Sequence, residues 1–107
     1  MESELIERVR SLIKAGDRYV EKRNFELAYD SYLDALYAVA AIIAHRETGR
    51  LMPIRELKPY LRVRHPGVHD TIERYSWMSS FDESTVRALK KEVVELIGMM
   101  NLPSPEK

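Results

Sequence analysis

The sequence predicts an all-α fold, a four-helix bundle-like domain built on an antiparallel helical hairpin with a long central second helix. Three observations carry this. Apolar residues recur at spacings of three and four along most of the 107 residues, the stripe of an amphipathic helix. No stretch alternates apolar and polar residues as a half-buried strand would. Caps and breakers stand where the stripes begin and end, at Asn24, Gly49, Asp82 and Pro103.

The first helix is expected to start near Ser3 as N-cap, with Glu4 and Glu7 in its first turn, where the helix dipole favours negative charge. Its stripe is Leu5, Ile6, Val9, Leu12, Ile13, Tyr19 and Val20. Gly16 interrupts it at a cost of about 1 kcal/mol relative to alanine, which implies a packing reason. Lys22-Arg23-Asn24 forms the turn, and Asn24 caps a second helix running from Phe25 to Thr48, stopped by Gly49. Early in this helix Ala28, Tyr32, Ala35 and Leu36 face inward, while Glu26, Asp30 and Asp34 form a solvated acidic row. From Ala35 to Ala44 it is apolar on nearly every face, so it must be surrounded by other helices or by a second copy of the chain. Leu36, Val39, Ala40 and Ile43 are the candidate interface residues, and a homodimer is expected.

Residues 50–67 read as irregular. Pro53 opens a short helix as far as Lys58, Pro59 ends it, and Pro66-Gly67 signals a turn. A third helix is expected from Val68 to Met78, with Val68, Ile72 and Tyr75 inward and Trp77 as a core or interface anchor. The fourth follows Asp82, with Phe81 and Val86 placed for a hydrophobic staple and Val86, Leu89, Val93, Leu96, Ile97 and Met100 inward. Residues 1–102 form one domain, and 103–107 are a short polar tail.

Composition narrows the function classes. The chain is 45% apolar and 32% charged with zero formal net charge, so no global field drives it onto nucleic acid or membrane. There is no cysteine, which removes disulfides, thiolate metal sites and a cysteine nucleophile. The N-terminal residues lack the basic and apolar regions of a signal peptide, and the stretch 35–44 falls short of the ~20 residues that span a bilayer. The expectation is a soluble, cytoplasmic protein without a membrane segment. Glutamine is absent while Glu, Lys and Arg abound, a bias of proteins from hot environments. No glycine loop cradles phosphate and no Ser or Thr is marked as a nucleophile. Pro66-Gly67 between His65 and His69 argues against a helical zinc pair, so neither metal nor cofactor is expected.

All three histidines, His45, His65 and His69, lie between residues 45 and 69, with Arg46, Arg50, Arg55, Lys58, Arg62 and Arg64 set against only Glu47 and Glu56. Such a basic segment is a plausible phosphate contact surface, with Arg46, Arg50, Arg55, Lys58, Arg62, Arg64 and His65 as its contacts. A histidine beside arginines can also move a proton while arginine stabilises an anionic transition state. Alternatively, these cations complement the helix C-terminus and pair with Glu26, Asp30 and Asp34 or with acids on a partner chain.

Two resemblances follow from these residues. Leu12, Ala15-Gly16, Tyr19, Phe25, Ala28, Tyr32 and Ala35 resemble the signature of a tetratricopeptide repeat. Gly16 and Ala28 would allow two helices to approach closely while Tyr19, Phe25 and Tyr32 fill the flanks. Arg23 stands where the repeat prefers glycine, and no second copy follows. The overall layout also resembles the HEPN superfamily, including its small PaREP1-like archaeal members. That resemblance implies RNA binding or metal-independent ribonuclease activity through an arginine followed by a histidine, here Arg64 or Arg62 with His69. The reading that results is a non-enzymatic helical interaction module that self-associates, with an RNA-binding protein or ribonuclease as its rival.

Overall fold

The computed structural model describes residues 2–102 as five helices, with no strand among the described residues: α1 (Glu2–Glu21), α2 (Phe25–Thr48), α3 (Ile54–Arg64), α4 (Pro66–Ser76) and α5 (Glu83–Met99). The all-α class holds, and the short helix expected to open at Pro53 is a longer one, α3. The polar tail assigned to 103–107 lies outside the described residues.

The α1–α2 hairpin forms as its turn residues dictate. Arg23 takes a left-handed φ of 57°, and the Asn24 side chain accepts from Leu27 N at 3.3 Å, satisfying one of the free donors of the first turn. Gly49 closes α2 in the left-handed region at φ 75°, a conformation that glycine adopts without steric cost. The antiparallel sense follows from two pairs. Arg46, near the end of α2, forks onto Glu2 at the start of α1, at 2.7 and 3.0 Å, while Tyr32, a third of the way along α2, donates to Asp17 at 2.5 Å. Ser3 lies inside α1 rather than capping it.

Gly16 has the packing reason its cost implied. A Cβ built there would lie 2.7 Å from Tyr32 Cδ1 and 2.8 Å from Tyr32 Cζ, inside any real carbon contact. Tyr32 cannot yield easily, because its ring is 1% exposed and its hydroxyl is held by Asp17.

The centre of the molecule is α2, whose residues from Ala38 to Ala44 are all buried. The other four helices of the same chain pack around it, most extensively α1 on one side and α5 on another. From α5 come Val86, Leu89, Val93 and Ile97, and α4 adds Ile72 and Tyr75. Burying each large aliphatic side chain contributes roughly 1.5–3 kcal/mol. By length and composition α2 could cross a membrane, yet 67% of its apolar window is buried inside the protein. Those side chains make the core.

Three sequence expectations fail, in whole or in part, between residues 50 and 77. Pro59 does not end a helix at Lys58, because α3 runs through it to Arg64. An interior proline costs about 3 kcal/mol by removing a hydrogen bond and crowding the preceding turn. Here Pro59 is exposed, while Leu57 and Leu61 one turn apart are 2% and 0% exposed. Their burial outweighs the local cost. Nor is Pro66-Gly67 a loop. Pro66 opens α4 at its first position, where its missing N–H would be unpaired in any case. His65 alone joins α3 to α4, with φ −142° and ψ 67°. Trp77 is no core anchor: it is 80% exposed, and its indole N–H donates to Glu73 at 3.0 Å.

Asp82 caps α5, as the sequence reading has it. Asp82 accepts from Thr85 N at 2.8 Å and from Ser84 Oγ at 3.0 Å. Those donors hold its carboxyl below the usual range. Phe81 packs edge-on against Tyr29, with ring centroids 4.8 Å apart, and the Tyr29 hydroxyl donates to the Tyr75 carbonyl.

Candidate functional site

The basic segment does not form one uniform surface. It divides by what each side chain touches. Arg46 is structural, since besides Glu2 it donates to the Met100 carbonyl at 2.8 Å, tying together the start of α1 and the ends of α2 and α5. Arg50 pairs with Glu56 at 3.0 Å. Lys58 pairs with Glu73 at 3.4 Å and lies over the Tyr37 ring. Their partners are therefore acids of α1, α3 and α4, not the row Glu26, Asp30 and Asp34. Arg55, Arg62 and Arg64 are exposed and form no ion pair among the described residues.

At the α3–α4 corner the structure assembles a group that sequence spacing did not show. The Glu47 carboxylate, at the end of α2, accepts from the Tyr60 hydroxyl of α3 and from His65 Nε2, at 3.0 Å to one oxygen and 2.8 Å to the other. These two donors hold Glu47 below the usual carboxylate range, with the charge of Arg64 adding to the effect. The same hydrogen bond raises the Tyr60 phenol. Only an α3 that continues through Pro59 brings Tyr60 to Glu47, so misreading that proline hid the group.

The expected Arg/His pair is not joined in this structure. The His69 side chain is 12% exposed. Its Nδ1 lies 3.3 Å from Asp70 Oδ1, and its Nε2 is enclosed with no partner among the described residues. It makes no hydrogen bond with Arg62 or Arg64. No family model, curated protein or solved structure matches this chain.

His65 and His69 stand one helical turn apart, with His69 N bonded to His65 O at 3.0 Å, but one ring is turned to Glu47 and the other to Asp70. Among the described residues no three His, Asp or Glu side chains gather in a set that could hold a metal. His65 edges a groove of about 310 Å³ between α4 and α5 that also carries Glu92 and Glu95. A phosphodiester approaching His65 from that groove would meet two carboxylates, which repel it.

Leu36, Val39 and Ala40 are 0% exposed and Ile43 is 2% exposed. The expectation offered two covers for this face, other helices or a second copy, and the helices of the same chain already cover it. The surface instead offers a different apolar feature. A groove of about 630 Å³ lies between α1, α2 and the start of α3, floored by Ala38, Ala41 and Leu57 and edged by Leu51 and Ile54, which are 50% and 55% exposed. Arg8 and Asp34 also line it. Burial pushes the Asp34 carboxyl up, against the opposing charge of Arg8. Leu51 and Ile54 sit in the segment read as irregular, with no periodic stripe to mark them.

Proposed function

We propose that this chain is a non-enzymatic helical interaction module that associates with itself, built on a tetratricopeptide-like hairpin. The observation that carries the reading is the apolar groove between α1, α2 and α3 with two half-exposed aliphatic side chains on its edge, since exposed contiguous apolar surface marks docking sites. The hairpin likeness draws support from the interlock of Gly16 with Tyr32. Sedimentation velocity on the full chain, at concentrations on the order of tens of micromolar, is expected to show a dimer. A single monomeric species there overturns the proposal.

A second reading, RNA binding of the HEPN-like kind, is favoured by one observation: Arg55, Arg62 and Arg64 are exposed cations on α3 without acidic partners among the described residues. Three phosphate contacts to a single strand imply an affinity falling with salt at a logarithmic slope of about −2. Fluorescence anisotropy with a labelled single-stranded RNA is expected to show that slope, and Arg62→Glu/Arg64→Glu should abolish binding with the helical circular dichroism unchanged. Binding that ignores salt, or survives the charge reversal, removes this reading.

A further inference from the structure

The groove between α1, α2 and α3 has its own complement beside it. The chain at 51–53 is non-helical, and Pro53, at φ −65°, sets the direction in which α3 leaves it. Leu51 and Ile54 stand at the two ends of this short rim and are half exposed. Knob and hole therefore sit next to each other on one molecule. The groove also carries one cation and one anion, Arg8 from α1 and Asp34 from α2. Neither has an ion-pair partner among the described residues.

We propose that a second copy of this chain occupies the groove in a two-fold arrangement, the Leu51–Ile54 rim of each copy entering the groove of the other while Arg8 of each meets Asp34 of its partner. This rests on the self-association reading and names its surface. In a two-fold interface one patch meets itself, so it must carry both halves of every contact. A knob beside a hole and a cation beside an anion satisfy that condition. A foreign helix of one charge sign would attract one of the two charges and repel the other, so the patch is better matched to itself than to such a partner. The fixed φ of Pro53 holds the rim ready, which lowers the ordering cost of association. The pairing of Arg8 with Asp34 across the interface fixes register more than it adds affinity.

The test uses the full chain in sedimentation equilibrium, with circular dichroism to confirm folding, since the substituted side chains are all exposed. Leu51→Glu/Ile54→Glu is expected to weaken dimerisation on the order of a hundredfold, as for residues at the centre of an interface. Arg8→Asp and Asp34→Arg are each expected to weaken it when alone. Mixed together, they are expected to form a heterodimer, because each then presents the charge the other needs. A wild-type dimer that persists in Leu51→Glu/Ile54→Glu, or a mixture that associates no better than its components, overturns this surface while leaving self-association standing. A monomeric wild type overturns both.

Discussion

Replacing Val39 by Asp is expected to abolish the cooperative fold. Val39 is fully buried at the middle of α2, within the apolar core cluster. A carboxylate placed there has no partner, so it either stays charged at great cost or takes up a proton. At neutral pH the cheaper course is to protonate a carboxyl that ionises at about 3.9 in the unfolded chain, which costs about 4 kcal/mol. The lost packing of the valine adds to that. Small domains have roughly 5–15 kcal/mol of stability in total, so little or none remains. Thermal melting followed by circular dichroism should show no native transition in Val39→Asp, while Val39→Ala should melt cooperatively at a lower temperature. This experiment also decides between the two covers for the apolar face. Were Leu36, Val39, Ala40 and Ile43 an intersubunit surface, Val39→Asp would give a folded, soluble monomer. Such a monomer would sink the account of α2 as the internal core.

What the sequence made legible divides at Gly49. Up to that residue the period and the turn hold, only the Ser3 cap fails, and α2 begins and ends where Asn24 and Gly49 say it should. The small-residue logic at Gly16 is equally local, since its partner Tyr32 faces it across a short turn. Beyond Gly49 the prolines mislead. Pro59 breaks a helix by intrinsic propensity, yet Leu57 and Leu61 bury enough surface to carry α3 through it, a tertiary effect that no local rule contains. Pro66 is ambiguous by nature, since proline both makes turns and opens helices. The sites suffered most from this. His65 finds Glu47 and Tyr60 only once α3 is continuous. The basic segment looked uniform in one dimension, while folding set Arg46, Arg50 and Lys58 against acids from separate elements. Trp77 illustrates a further limit, because an amphipathic side chain at a helix end can turn either way, and here Glu73 holds its indole at the surface.

Alkaline pH should unfold the protein cooperatively, through two buried tyrosines. Burial pushes the Tyr29 phenol up to about 12, with Tyr75 and Asp30 adding to the effect. Tyr32 is raised further, by burial first and then by its bond to Asp17. In both, the folded state holds its proton more tightly than the unfolded chain, whose tyrosines ionise near 10. The stability tied to these protons is therefore intact below pH 10 and drains away as the pH rises towards 12. With two such groups the loss is about 2.7 kcal/mol per pH unit, roughly 5 kcal/mol across that window, which rivals the whole stability of a small domain. Urea midpoints measured between pH 9 and roughly pH 12 should fall steeply in the wild type. In Tyr29→Phe and Tyr32→Phe the slope should be about half as large. The slope is the diagnostic quantity, because each substitution also removes a hydrogen bond and lowers stability at every pH. The share of phenolate absorbance that Tyr29→Phe and Tyr32→Phe remove should appear together with the loss of helical signal, because both rings are buried and their hydroxyls are hydrogen-bonded. An unchanged slope in both variants, or phenolate formation at both sites in a fully helical chain, would mean that Tyr29 and Tyr32 are not sealed in the core.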